Sequence, residues 1–271
     1  MLEEIIIKPR QGLRIDLKEI WQYRELLYSL VLRDIKIRYK HTAIGVGWVL
    51  LQPLAMMLLF TLFFGRFIKT STNEMPYAVF ALSGAVVWAY FSNAINNAAN
   101  SLQQYKYIIS KVYFPRLILP IVGVSVGAID FAISLALLMV ILLFYGVTLK
   151  LTLLALPLVS IAVIFVSFSV GVWLSALNAI YYDIRYILPF LIQLWLFASP
   201  VVYPVSVVPE KWQMYYYLNP LVGLLEGFRW CLSGVGAIPN SFWVSIGIAI
   251  LLSIGGVTYF RRVESTLADL L

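Results

Sequence analysis

Charge is what this sequence has least of. Of its 271 residues, 62% are hydrophobic and only 12% are Asp, Glu, Lys or Arg, whereas a soluble domain carries about 25% charged residues. With a mean hydropathy of +0.88, that deficit excludes an ordinary soluble domain and leaves an integral membrane protein. A single cysteine, Cys231, excludes an intramolecular disulfide and any multi-cysteine metal site. A single histidine, His41, argues against a His-built catalytic or metal centre. No GxxxxGKS or GxxxxGKT occurs, so the chain has no nucleotide-binding P-loop. No DxD marks a metal-dependent glycosyltransferase. The N-terminus lacks the charged, apolar, small-residue order of a cleavable signal peptide, so the charged first forty residues are expected on the mature protein.

What is present is apolar length. Six segments reach the roughly 20 residues a helix needs to cross a bilayer core: 42–66, 77–100, 117–148, 151–180, 187–207 and 241–260. Backbone groups in lipid must be satisfied within the segment, so these are helices. The expected fold is an all-α integral membrane protein with six transmembrane helices, which returns the chain to its starting side. With the N-terminus inside, inner segments hold 15 of the 20 Lys and Arg residues and outer segments hold 5. Under the positive-inside rule this puts both termini in the cytoplasm. The same asymmetry accounts for most of the +7 net charge, so nucleic-acid binding is not needed to explain it.

Three connecting regions carry patterns of their own. On a helix over 17–40, Leu17, Ile20, Trp21, Leu27, Tyr28, Val31 and Ile35 share one face and Lys18, Gln22, Glu25, Ser29, Arg33 and Lys36 the other. That is a helix lying in the membrane interface, either as an anchor or as a docking surface. In 101–116, Tyr105, Ile108, Ile109 and Val112 fall at i, i+3, i+4, i+7, predicting a short amphipathic helix that needs something to pack on. Region 199–240 holds five prolines in an apolar stretch. It is too broken to span and too hydrophobic for water, which fits short re-entrant helices on the outer side between the fifth and sixth spans. Within it, Glu226 and Arg229 sit at i, i+3, where a pair can form.

Polar residues inside the spans are few. Asp130 is the only acid deep in a span; it is either a functional group or a capped carboxylate at a helix interface. Asn93, Asn96, Asn97 and Asn100 share one helical face, which suggests a hydrated path at the cytoplasmic end. Gly123/Gly127 and Gly223/Gly227 are GxxxG pairs, read as helix packing. The aromatics at span ends serve as interfacial belts or core, and an aromatic-lined channel also suits a polysaccharide, whose sugar rings stack on such faces.

Three ordered stretches carry a family resemblance: LRDIKIRYKHTAIGVGWVLLQPL (32–54), ALNAIYYDIRYILPFLIQLWLFASPVVYP (176–204) and YYLNPLVGLLEGFRWCLSG (216–234). Together they resemble the permease subunits of ABC-2 type exporters, closest to the branch that moves O-antigen, capsule and teichoic acid. The resemblance implies a transport subunit rather than an enzyme. Residues 1–41 would form a cytoplasmic segment with the interface helix, and 42–262 the transmembrane domain. Residues 101–116 would hold a coupling helix, with Tyr105, Ile108, Ile109 and Val112 meeting the ATPase. Residues 209–235 would form outer gate helices carrying Glu226 and Arg229. Two copies of the chain would form the channel in the bacterial inner membrane, and no cofactor would sit on this chain: a separate ABC ATPase dimer would hold ATP and Mg. The substrate would be a polymer linked to undecaprenyl diphosphate. Arg33, Lys36, Arg38 and Lys40 would then receive the lipid diphosphate, and Trp48, Phe60, Trp88, Trp195 and Tyr203 are the candidates for lining the path. Two other readings compete: an ABC-2 exporter of a small hydrophobic drug, and a membrane enzyme acting on lipid-linked sugars with Asp130 as its acid.

Overall fold

The computed structural model describes residues 17–40, 45, 47–65, 75–148 and 150–270, apart from the side chains of 17 and 265–270. His41 at the entrance of the first span, Arg66 and Lys69 of the following loop and the first sixteen residues lie outside the described residues. The elements are α1 (Leu17–Gln22), α2 (Arg24–Lys40), α3 (Gly47–Phe64), α4 (Tyr77–Gln104), α5 (Lys106–Ile109), α6 (Ile118–Phe144), α7 (Leu156–Ile180), α8 (Ile184–Phe197), α9 (Glu210–Tyr216), α10 (Pro220–Ser233) and α11 (Asn240–Leu270). The chain is all-helical among the described residues. Five stretches are long and apolar enough to cross a membrane: α3, α4, α6, Leu151–Ile180 and Asn240–Glu264.

The α4 helix is the axis of the fold, nearly all of it buried among α3, α6, α7, α8 and α10. Its sequence explains why. Ala78, Ala81, Gly84, Ala85, Ala89, Ala94, Ala98 and Ala99 keep one helix slim enough for several neighbours to approach. In lipid, where apolar burial between helices gains little, such close van der Waals packing is what holds helices together. Two neighbours close on α4 at Ala98. A Cβ built on Gly123 of α6 would stand 2.7–2.8 Å from backbone atoms of Asn97 and Ala98, and one on Gly171 of α7 would stand 2.8 Å from the Ala98 methyl. Gly255 and Gly256 of α11 make room for the Trp173 indole of α7, which donates to the Leu252 carbonyl at 2.8 Å and stacks on Tyr259. Both GxxxG pairs are packing sites: Gly127 lies on Tyr90, and Gly223 and Gly227 face Ser241 and Phe242 of α11.

The expected fifth span, 187–207, differs from the observed element. Helix α8 covers Ile184–Phe197, 14 residues, or about 21 Å at 1.5 Å per residue, short of the roughly 30 Å hydrocarbon core. Pro200 stops it, because the residue before proline is driven out of the helical region. The expected 17–40 helix is also broken, at Tyr23. Its packed stripe centres on Leu30, with Tyr23, Leu26, Leu27, Val31 and Ile35 beside it, while Trp21 and Tyr28, expected on that stripe, are exposed.

Candidate functional site

Two polar joints tie α2 to the rest of the chain, and both stand on one helix face, Asp34 and Arg38 being four residues apart. At the first, the Tyr105 hydroxyl donates to Asp34, while the Arg33 guanidinium lies 4.7 Å from the Tyr105 ring and 3.1 Å from the same carboxylate. Burial and the Asp34 carboxylate both raise the Tyr105 pKa above the ordinary phenol value. At the second, an Arg38 N–H donates to Asp130 of α6 at 2.5 Å, and the Tyr39 hydroxyl donates to the other oxygen of Asp130. Burial first and the carboxylate second push Tyr39 up to about 12. Asp130 is therefore a capped carboxylate, its partners coming from α2 rather than from another long apolar helix.

The Arg38–Asp130 joint forms one wall of a cleft of about 210 Å³ that Trp48, Gln52, Tyr90, Asn93 and Ser134 help to line. A second cleft of about 250 Å³, which shares Arg38, runs along Asn97, Ser101, Gln104 and Tyr105. Asn93, Asn97, Ser101 and Gln104 thus place a polar face of α4 beneath α2. Asn100 turns the other way, accepting from Asn178 of α7, which also donates to the Ala99 carbonyl at 2.8 Å.

The four expected entrance cations do not act as a set. Arg38 turns into the cleft, Arg33 leans on Tyr105, and Lys36 and Lys40 are exposed on the opposite face of α2. The expected coupling helix differs more. Helix α4 runs on to Gln104, leaving α5 a single turn, and three of the four residues expected to meet a partner, Tyr105, Ile108 and Ile109, lie on the inner side, with Val112 alone of the four exposed. Tyr105 is 2% exposed, and Ile108 and Ile109 pack against the cluster that includes Leu30 and Phe114. What faces out is Tyr107, Lys111, Val112 and Tyr113. The loop beyond is fastened to the end of α11, where Glu264 accepts from the Arg116 backbone N–H at 2.9 Å.

Of the aromatic candidates, only Trp48 lines the cleft. Trp88 is buried in the chain's own core and joins Trp195 through Phe91, with ring centroids 5.9 and 5.2 Å apart. Phe60 is half-buried beside Phe64. The Tyr203 hydroxyl donates to the Phe197 carbonyl at 2.7 Å and accepts from Tyr216 at 3.0 Å.

At the far end of α4, the 198–202 turn is clamped by both ends of α10. Asn219 caps α10, its side chain accepting from the Leu221 N–H, while its amide donates to the Ala198 carbonyl and Ser199 hydroxyl and its oxygen accepts from the Trp195 indole. Pro220 at the first helical position needs no partner for a missing N–H. At the other end Arg229, 6% exposed, donates to the carbonyls of Pro200 at 2.7 Å and Val201 at 2.8 Å, with its guanidinium 3.5 Å from the centre of the Phe80 ring. It does not pair with Glu226, as the i, i+3 spacing suggested. Glu226 instead accepts from Ser241 of α11 at 2.5 Å. Two neighbouring carbonyls offer the buried guanidinium more acceptors than one carboxylate that already has a partner.

Five helices long and apolar enough to cross a membrane, packed around α4, define a multi-pass membrane domain. The description "ABC-2 type transporter" matches residues 25–232, and the chain belongs to that family. Among relatives, it is 30% identical over 214 residues to the O-antigen export system permease protein RfbA of Myxococcus xanthus, covering 78% of this chain and 82% of that one. It is 26% identical to the protein of the same name from Klebsiella pneumoniae, covering 91% and 95%. The polysialic acid transport protein KpsM of Escherichia coli is 23% identical, with 89% and 95% covered.

Proposed function

We propose that this chain is the membrane subunit of an ATP-driven exporter that moves a lipid-linked polysaccharide of O-antigen type out of the cytoplasm across the bacterial inner membrane. The observation that carries the reading is the similarity, continuous over nearly the whole chain, to permeases named for O-antigen export. In this reading two copies form the channel, and a separate ATPase dimer, holding ATP and Mg, docks at the α5 turn through its outward residues. The polymer is carried on undecaprenyl diphosphate, and Arg38 in the cleft beneath α2 is the cation that first meets the diphosphate.

Six crossings are part of the proposal. Segment 181–202 begins beside the α7 end that bonds to Ala99 and reaches Tyr77 at the opposite end of α4, where the Tyr77 hydroxyl donates to the Val202 carbonyl. Helix α8 and the 198–202 turn together then cover the distance that α8 alone does not. The basic distribution places α2 and α5 on the cytoplasmic side and α9 and α10 on the outer side.

The test is complementation. In a host deleted for its own O-antigen export permease and ATPase, this chain is expressed with its cognate ATPase. Surface polymer detected by antibody on intact cells is the expected result. Polymer that accumulates only inside, with both proteins present in the membrane, would refute the reading.

A further inference from the structure

We infer that Asp130 is a displaceable counter-ion: it holds Arg38 in the absence of cargo and yields it to the diphosphate head group of the lipid carrier. The inference rests on the entrance reading of the cleft given above and assigns that site its regulation.

Three features of the joint carry it. First, Arg38 engages Asp130 through one N–H at 2.5 Å. A guanidinium presents a planar fork of five donors, and among the described residues its other donors make no hydrogen bond, so the pair uses a fraction of what Arg38 offers. A phosphate group takes two donors of such a fork at once. Second, the pair is partly open on the cleft that both residues line, with side-chain exposures of 32% for Arg38 and 22% for Asp130, so an incoming head group can reach both partners. Third, losing Arg38 does not orphan the carboxylate. Tyr39 donates to its other oxygen, and Gln52, Asn93 and Ser134 line the same cleft. The acid has somewhere to stay when the cation leaves it. A purely structural pair would be expected to be bidentate, enclosed and without an alternative donor.

Displacement also has a mechanical consequence. Arg38 and Asp130 are the ionic link between α2 and α6, so a head group that takes Arg38 frees α2 at that joint while the Asp34–Tyr105 joint remains.

The experiment uses the full chain in phosphatidylcholine nanodiscs, with undecaprenyl diphosphate as the probe and Trp48 fluorescence as the readout, the Trp48→Phe chain supplying the background. Undecaprenyl monophosphate, phosphatidylglycerol and inorganic diphosphate are the comparison ligands. Asp130→Asn is expected to lower the dissociation constant for the lipid diphosphate at least tenfold, and Arg38→Gln to raise it at least tenfold. Asp130→Ser, which keeps a hydroxyl for Tyr39, is the second variant in case the first fails to fold, and is expected to tighten binding in the same direction. If neither Asp130 variant binds tighter while Arg38→Gln weakens binding, the counter-ion role is overturned and the entrance reading stands. If Arg38→Gln leaves the affinity unchanged, both fall. If phosphatidylglycerol or inorganic diphosphate gains as much from Asp130→Asn as the carrier lipid does, the assignment to a lipid diphosphate is overturned.

Discussion

Removing the Arg229 guanidinium separates two accounts of how the 198–202 turn is held against α10. In Arg229→Leu the carbonyls of Pro200 and Val201, now 2.7 and 2.8 Å from the guanidinium, lose their donors in a buried site. Hydrogen bonds to a charged group contribute about 1.5–3 kcal/mol each, and a buried acceptor left unmade costs about 1–3 kcal/mol. Neutral interhelical bonds in a bilayer average only about 0.6 kcal/mol, so two ordinary ones would total about 1.2 kcal/mol. Against the larger figure stands the cost of keeping a guanidinium out of water, several kcal/mol for an unpaired ion, here reduced by the two carbonyls and the Phe80 face. The net expectation for Arg229→Leu is a loss of about 3 kcal/mol, and for Arg229→Lys about half of that, since an ammonium reaches the carbonyls without the planar fork. Reversible unfolding in mixed micelles of increasing SDS fraction measures both. A loss of 1 kcal/mol or less for Arg229→Leu, or equal losses for the two variants, would refute the clamp as an energetic feature.

Three further predictions follow from the packing and the joints. Tyr105→Phe removes the hydroxyl that ties the α5 turn to Asp34; with the partner ATPase present, export per ATP hydrolysed is expected to drop about tenfold, the factor that corresponds to one charge-assisted bond, while ATPase activity persists. Unchanged export per ATP would mean that this joint transmits nothing. Gly123→Leu drives a side chain into the Ala98 backbone and is expected to destabilise the chain by at least 1–3 kcal/mol in the same SDS titration, whereas Gly127→Ala, whose Cβ meets only the Tyr90 ring at 3.4 Å, is expected to stay within about 0.5 kcal/mol. Tyr39 ionises at about 12, above the ordinary phenol value near 10. Its raised value means the protonated hydroxyl's contribution is fully present below pH 10 and lost as the pH rises through 12. Absorbance at 295 nm is therefore expected to show no difference between wild type and Tyr39→Phe up to pH 10.5 and one missing tyrosinate above pH 12.

The all-helical class and five of the six expected spans are legible in the sequence because they depend on composition along a line, and lipid forces any apolar stretch of sufficient length into a helix. The glycine pairs are legible for a similar reason, since close approach needs small residues whatever the partner. Errors arise wherever the partner decides. The stripe Tyr105, Ile108, Ile109 is apolar in the sequence, but periodicity does not say whether such a face meets another protein or the chain's own helices, and here it joins the chain's own cluster with Leu30 and Phe114. Arg229 and Glu226 stand at pairing distance along a helix, yet the acceptors that take the guanidinium come from a turn 28 and 29 residues away. Asp130 looks unpaired in the sequence because Arg38, its partner, is 92 residues earlier on an element expected to lie in the membrane interface rather than among the spans. Only one signal pointed to that pairing: an acid inside a span needs a partner, and the nearest dense source of cations is 33–40.

The two joints on α2 acquire their meaning from their spacing. Asp34 and Arg38 are one helical turn apart, about 6 Å along the axis, and they hold elements with different tasks: the first holds the α4–α5 corner, the second the middle of α6. A rigid helix pinned at two points transmits a push at one as a rotation about the other. If the α5 turn moves while Tyr105 keeps Asp34, then α2 follows, and Arg38 is pulled along the wall of the cleft past Asp130. Occupancy of the cleft and position of the α5 turn are in that case coupled through a single helix, and linkage requires the effect to run both ways: whatever displaces Asp130 from Arg38 also changes how easily the α5 corner moves. On the counter-ion proposal, α2 is then a lever with the Arg38–Asp130 pair as its fulcrum.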